Sequence, residues 1–286
     1  MACVIRARAD AIAQDDGEPL DLNHRDEIEQ LIAAREQPLS EYCFANLYLF
    51  RSRHDYRFVR TPLPHIVGRT YDGRRHAMPL AAFDTGAARS LLASVDCLYP
   101  IGAAEAAAAS YTTATFNPDD SDYLYAPDEL ATLARAKDKR RQAAHFDAAA
   151  TPRLLIDDPG FGAAADIVLA NWLAGSGKAP TETDHAECAA AIALAEPLRL
   201  QSALVVTRDG PVAFLLASHL ADGSKAVHFA KGIHAASGCS PWLFSRYAAA
   251  CDAPRLNFEQ DLGSPGFRRA KRALGPIGQL IKYRLT

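Results

Sequence analysis

The stretch LQSALVVTRDGPVAFLLASHLADGSKAVHFAKGI, residues 200–233, decides the fold of this chain. Its apolar runs are separated by Asp209-Gly210 and Asp222-Gly223. Asp-Gly supplies the backbone conformations of a tight hairpin, so the runs predict three consecutive antiparallel strands. The loop from Gly232 to Gly238 leads into Ser240-Pro241, a pair suited to a helix start, with Leu243, Phe244, Tyr247 and Ala248 on one face. RLNFEQD (255–261) then predicts a strand. A strand, a crossover helix and a second strand of the same sheet run parallel. Ser264-Pro265 opens another helix, Gly275-Pro276 stops it, and QLIKYRL (279–285) predicts one closing strand.

Working towards the N-terminus, residues 163–174 and 184–196 predict helices. A further helix is predicted from Pro127, with Asp128 and Glu129 at its start and Arg135, Lys137, Lys139, Arg140 and Arg141 towards its end, a polarity that suits the helix dipole. Pro152 and IDDPGFG (156–162) place a junction near residue 150, giving domains 1–150 and 151–286. In the first half, 21–36, 84–96 and 104–110 predict helices and Asp72-Gly73 a hairpin turn. The aromatic-rich LSEYCFANLYLFRSRHDYRFVR (39–60) reads as strand, with Asp55 opening a turn, and this half as a degenerate copy of the second.

A chain of 286 residues suits two domains, and 49% hydrophobic residues supply their cores. The net charge of −3 excludes a protein that coats nucleic acid with its whole surface, while leaving room for local basic patches. No apolar run approaches the roughly 18 residues of a membrane span. MACVIRARADAIAQDDGEPLDL carries charges where a signal peptide needs apolar residues. Cys3, Cys43, Cys97, Cys188, Cys239 and Cys251 show neither a C-x-x-C pair nor metal-ligand spacing, so free thiols in a reducing cytoplasm are expected and no metal.

The order of elements in the second half resembles the GNAT acyltransferase layout, in which two neighbouring strands splay and an acyl carrier enters between them. LNFEQDLGSPGFRRAKRALGPIGQLIKYRL (256–285) resembles the C-terminal signature of the phosphatidylglycerol lysyltransferase C-terminal-domain family. LSEYCFANLYLFR (39–51) and SDYLYAPDELATLARAKDKRRQAAHF (121–146) are similar to further segments of it, so the resemblance spans roughly residues 20–286. It implies an α/β (α+β) chain of tandem GNAT-like domains, mixed sheets flanked by helices, joined by a basic helix. It also implies transfer of an aminoacyl group from charged tRNA to an amine or hydroxyl of a small molecule or lipid headgroup. No permanently bound cofactor is expected; aminoacyl-tRNA or acyl-CoA is the co-substrate. Two other readings stay open: a CoA-dependent N-acyltransferase, whose pyrophosphate loop HAASGCS partly mimics, and a non-catalytic ligand-binding module.

Acyl transfer of this kind needs a polarised carbonyl, a base for the acceptor proton and a hold on the carrier, with no covalent intermediate required. Arg255, Asn257, Glu259 and Asp261 alternate with Leu256 and Phe258 on the 255–261 strand, and a polar row there must line a cleft or be paired. Glu259 is the candidate base and Asp261 the second; Asp261 also suits a loop cap held by Arg268. On a regular strand His228 and Lys231 face opposite sides, so both serve one site only if a bulge intervenes, and a hydrogen-bonded core histidine is the competing reading of His228. Gly238 and Ser240 present a helix N-terminus to a carrier phosphate, or simply cap that helix. Lys137, Arg140 and Arg141 share one helical face, as do Arg268, Lys271 and Arg272. These basic faces are candidates for phosphates of a tRNA acceptor stem, against the ordinary reading of a solvated surface.

Overall fold

The computed structural model describes residues 17–35, 39–109 and 112–286. Cys3 and most of the stretch tested for a signal peptide lie outside the described residues. The chain divides into two compact units: 1–37, 50–116 and 282–286 form one, and 38–49 with 117–281 form the other. The expected junction near residue 150 is thus replaced by an interleaved division.

The first unit contains β1 (Glu18–Pro19), α1 (Arg25–Ala33), β2 (Arg57–Val59), β3 (His65–Arg69), β4 (Arg75–Pro79), α3 (Thr85–Leu92), β5 (Cys97–Ile101), α4 (Ala103–Ala108), β6 (Ala114–Phe116) and the C-terminal β14 (Tyr283–Leu285). Helix α2 (Phe44–His54) begins in the second unit and ends in the first. The sheet order is β1-β2-β3-β4-β5-β14-β6. Strands β2 to β4 form an antiparallel meander, and β5 returns parallel to β4 after α3.

The second unit contains β7 (Asp122–Tyr125), α5 (Pro127–Thr132), α6 (Lys137–Ala150), β8 (Arg153–Ile156), α7 (Phe161–Ser176), α8 (His185–Ala193), β9 (Gln201–Thr207), β10 (Gly210–His219), β11 (Lys225–Gly232), α9 (Cys239–Ala250), β12 (Leu256–Asn257), α10 (Pro265–Arg272) and β13 (Gly278–Leu280). Its order is β13-β7-β12-β11-β10-β9-β8. The meander β9-β10-β11 turns at the two Asp-Gly pairs, and β12 runs parallel to β11 after α9. Both units therefore repeat one GNAT-like plan: an antiparallel meander, a helix, and a parallel return strand.

One face of the second sheet packs Ala203, Val205, Ala213, Leu215, Ala217 and Val227 against Phe146, Trp242, Leu243 and Tyr247. On the other face, Phe161 of α7 meets Phe214 edge-on, ring centroids 5.9 Å apart.

Several elements depart from the sequence reading. Within the aromatic stretch, Phe44–His54 is helical, because Phe44, Leu47 and Tyr48 recur at helical spacing and are all buried, while Arg57–Val59 after the turn at Asp55 is the expected strand. The helix expected from Pro127 is two helices, broken at Leu133, whose φ is +48°. Lys137, Arg140 and Arg141 therefore stand at the start of α6, where the helix dipole gives cations no support. QLIKYRL feeds two sheets through β13 and β14. The 255–261 strand shortens to Leu256–Asn257.

Candidate functional site

The site is built where β11 and β12 separate. Their parallel pairing covers only Lys225 with Leu256 and Ala226 with Asn257. Strand β11 then continues to Gly232, while the chain leaving β12 stays with β7: Phe258 N donates to the Tyr123 carbonyl at 2.9 Å and Tyr123 N to the Glu259 carbonyl at 3.1 Å. Glu259 adopts the left-handed conformation, φ +56°, and its N–H donates to Asn257 Oδ1 at 2.8 Å. This turn is what swings the carboxylate across the fork.

On the other side of the fork, β10 pairs Leu216 with Phe229 and Ala217 with Val227. His228 is the extra residue of a β-bulge, which re-aims its side chain. Its Nδ1 lies 2.8 Å from Glu259 Oε1 and its Nε2 lies 2.7 Å from Ser218 Oγ. Asn46 Nδ2 donates to the same Glu259 oxygen at 3.1 Å. Cys43 Sγ lies 3.7 Å from His228 Nε2 and accepts from Ser218 Oγ at 3.3 Å. The imidazole is fully enclosed, while the Glu259 side chain keeps 16% of its exposure, so the carboxylate is the solvent-facing end of the cluster.

Burial works against a charged His228, but Cys43 and Glu259 on its two sides more than offset it, and its pKa rises well above the ordinary 6.5. With Nδ1–H facing the carboxylate, Nε2 is the nitrogen that exchanges a proton with whatever sits beside Ser218 and Cys43. Ser218, Cys43 and Asn46 were not singled out in the sequence. Cys43 and Asn46 are separated from His228 by more than 180 residues, and no local spacing announces them. The signal that was available is a cysteine three residues before an asparagine at a helix start.

The family model described as phosphatidylglycerol lysyltransferase, C-terminal, matches residues 33–285. The chain belongs to this family. A conserved protein of unknown function from Bacteroides thetaiotaomicron VPI-5482 is 21% identical, with 94% of this chain and 98% of that one covered and a TM-score of 0.82. L-PGS from Bacillus licheniformis is 14% identical over 94% of this chain and 92% of its own, with a TM-score of 0.63. The C-terminal domain of a putative lysylphosphatidylglycerol synthetase from Agrobacterium fabrum is 12% identical over 93% and 92%, with a TM-score of 0.60. No curated protein matches the chain.

The remaining candidate residues of this phosphatidylglycerol lysyltransferase C-terminal family member divide into those near the fork and those held elsewhere. The bulge puts Lys231 on the same sheet face as His228, but its Nζ bonds Asp184 at 2.6 and 2.8 Å and lies 4.1 Å from the Trp172 ring centroid. It is thus engaged by α7 and the start of α8. Asn257, fully buried, donates to Asp122 Oδ2 at 2.8 Å and carries the turn at Glu259. Lys271 Nζ donates to the carbonyls of Phe258, Glu259 (3.0 Å) and Gln260 (2.7 Å), so it braces the site loop from below and is not a free phosphate ligand.

Arg268 is likewise engaged, by Asp261 at 2.9 Å and Asp119 at 2.5 Å. The Arg268 guanidinium holds Asp261 well below the usual carboxylate range, at about 2, and Tyr123 and the Gly263 N–H add to it. Asp261 is buried and acts as the loop cap. Asp261→Asn should cost about 1–2 kcal/mol near neutral pH. A carboxylate with a depressed pKa stabilises the fold above its unfolded value. The difference between wild type and variant should therefore shrink as pH falls from 3.8 towards 2, which urea midpoints at several pH values would read.

Gly238, not Ser240, is the N-cap of α9; Ser240 lies inside the first turn. Gly238 has φ +91°, and a Cβ there would stand 2.4 Å from the Gln142 carbonyl oxygen of α6. The tip of α9 therefore abuts the basic helix. On α6, Lys137, Arg140 and Arg141 are exposed, with Arg141 3.3 Å from Asp138. Among the described residues no group of three or more His, Cys, Asp or Glu is arranged to hold a metal ion. Among them, too, no helix is long and apolar enough to cross a membrane.

Proposed function

We propose that this chain transfers an aminoacyl group from charged tRNA to an amine or hydroxyl of a small molecule or lipid headgroup, at the fork between β11 and β12. The observation that carries this reading is the His228–Glu259 pair, 2.8 Å apart, spanning two strands that part immediately after Ala226 and Asn257. A donor ester lodged in the fork meets His228, which gives its Nε2 proton to the leaving oxygen and takes the acceptor proton in exchange, with Glu259 fixing the ring and supporting the imidazolium. His228 takes over the role expected of Glu259, because the carboxylate is spent on orienting the ring. The family, and the likeness to L-PGS, support an aminoacyl donor.

The juxtaposition of the α9 tip with Lys137, Arg140 and Arg141 suits the phosphates of a long anionic carrier. Incubating the protein with tRNA charged with radiolabelled amino acids, and separately with acyl-CoA, tests the proposal. Transfer of label to an amine or hydroxyl acceptor from charged tRNA is expected. Its rate should fall steeply with salt and by about tenfold or more when Lys137, Arg140 and Arg141 are changed together to alanine. Turnover of acyl-CoA with every charged tRNA left intact would overturn the tRNA assignment.

A further inference from the structure

The geometry points to Cys43 as a nucleophile that takes the acyl group as a thioester before the acceptor receives it, with Ser218 and His228 as its proton path. For its natural donor this inference rests on the transferase reading above; for the reactivity of the thiol it does not.

Cys43 is the N-cap residue of α2. Its carbonyl accepts the first intrahelical bond, from Leu47 N at 3.2 Å, and its Sγ accepts from the N–H of Asn46 at 3.5 Å. A sulfur at a helix N-terminus sits where a negative charge is favoured. The same sulfur faces an imidazole backed by a carboxylate, which is the nucleophile, base and orienter arrangement of covalent catalysis. These two features come from different elements and converge on one atom.

Ser218 Oγ fits between sulfur and imidazole, 3.3 Å from Sγ and 2.7 Å from Nε2. In the ion-pair state the hydroxyl donates to the thiolate and accepts from the imidazolium. The charged groups around the thiol are His228 and Glu259, with Glu41 and Asp122 reached through Ser40, whose Oγ bonds both carboxylates at 3.3 and 3.0 Å. Among the four buried cysteines Cys43 keeps 7% exposure, against 0% for Cys97 and Cys188 and 3% for Cys239, while Cys251 is half-buried. The thiol, rather than the serine hydroxyl, is assigned as nucleophile because sulfur is the stronger nucleophile and alone occupies the cap.

The step balances without any further reactant. The thiol proton passes through Ser218 Oγ to His228 Nε2. The sulfur bonds to the carbonyl carbon, the bond from that carbon to the donor oxygen (or to sulfur, in an acyl-CoA) breaks, and the leaving atom takes the proton from Nε2. The acceptor amine or hydroxyl then attacks the thioester carbon. The carbon–sulfur bond breaks, His228 takes the acceptor proton, and that proton returns to the thiolate.

p-Nitrophenyl acetate, a small activated ester, tests the nucleophile apart from any natural donor. The expected result is a burst of about one p-nitrophenolate per chain, with a hydroxylamine-labile acetyl adduct on Cys43 by peptide mass spectrometry. Cys43→Ala and the conservative Cys43→Ser should both lose the burst, with melting temperatures close to wild type. His228→Asn should slow it by about 10²-fold or more. Iodoacetamide at neutral pH should alkylate Cys43 ahead of Cys97, Cys188 and Cys239. No burst in the wild type, an adduct on Ser218, or full transfer activity in Cys43→Ala would each overturn the assignment. A Cys43 burst without transfer from charged tRNA or acyl-CoA would sustain it while removing the transferase reading.

Discussion

Replacing His228 with asparagine is expected to lower kcat/KM for acyl transfer by about 10²–10⁴-fold, the usual weight of a positioned acid–base group. Asparagine places an N–H where Nδ1 stands, so the bond to Glu259, 2.8 Å in the native protein, keeps a donor. What disappears is Nε2, the atom that faces Ser218 and Cys43. The loss should therefore fall on kcat, with KM little changed, because the groups on α6 and at the α9 tip proposed to hold the carrier are untouched. Glu259→Gln should cost less, about 10–100-fold, since an amide still orients the ring but no longer supports the imidazolium. Steady-state kinetics on both variants would read the difference. Equal, small losses would place the chemistry away from this pair.

Asp122→Ala is expected to destabilise the protein by about 3–5 kcal/mol, more than any substitution of an exposed charge. Asp122 is fully buried on β7 and accepts from Ser40 N at 2.9 Å, Ser40 Oγ at 3.0 Å and Asn257 Nδ2 at 2.8 Å. Truncation strands those donors without water to replace the carboxylate. It also unties the segment that delivers Cys43 and Asn46 from the strand that delivers Glu259. The variant that still folds should thus lose activity out of proportion to its melting temperature, and Asp122→Asn should recover part of both. Denaturant titration beside kinetics checks this. A cost below about 1 kcal/mol would mean that the network is reached by water.

The parts of the fold that could be read in advance are those with strong local chemistry. Asp209-Gly210 and Asp222-Gly223 turn the chain where they stand, and the meander, crossover helix and parallel return follow. The stretch after Cys43 misleads because a helix buried on most sides carries the same aromatic, apolar residues as a strand, and only the Phe44, Leu47, Tyr48 spacing separates the two. The break at Leu133 depends on a single residue adopting a left-handed conformation that no glycine or asparagine marks.

At the site, Glu259 stands out because a polar row on a core-facing strand demands a partner, and His228 because a bulge was required for it to serve. Cys43, Asn46 and Ser218 carry no such local demand. Their role exists only once 38–49 is folded into the second unit, a long-range pairing that residue spacing does not encode. Arg268 and Lys271 show the converse: charges that read as a phosphate-binding face are consumed internally, by Asp261, Asp119 and three backbone carbonyls.

The most direct measurement is a crystal structure of the protein with an aminoacyl-adenosine whose ester is replaced by an amide, mimicking the end of a charged tRNA while resisting transfer. The aminoacyl carbonyl is expected in the fork between residues 227–232 and 258–261, beside His228 and within contact of Cys43. Density for the analogue at any other place, with the fork closed around His228 and Glu259, would contradict it.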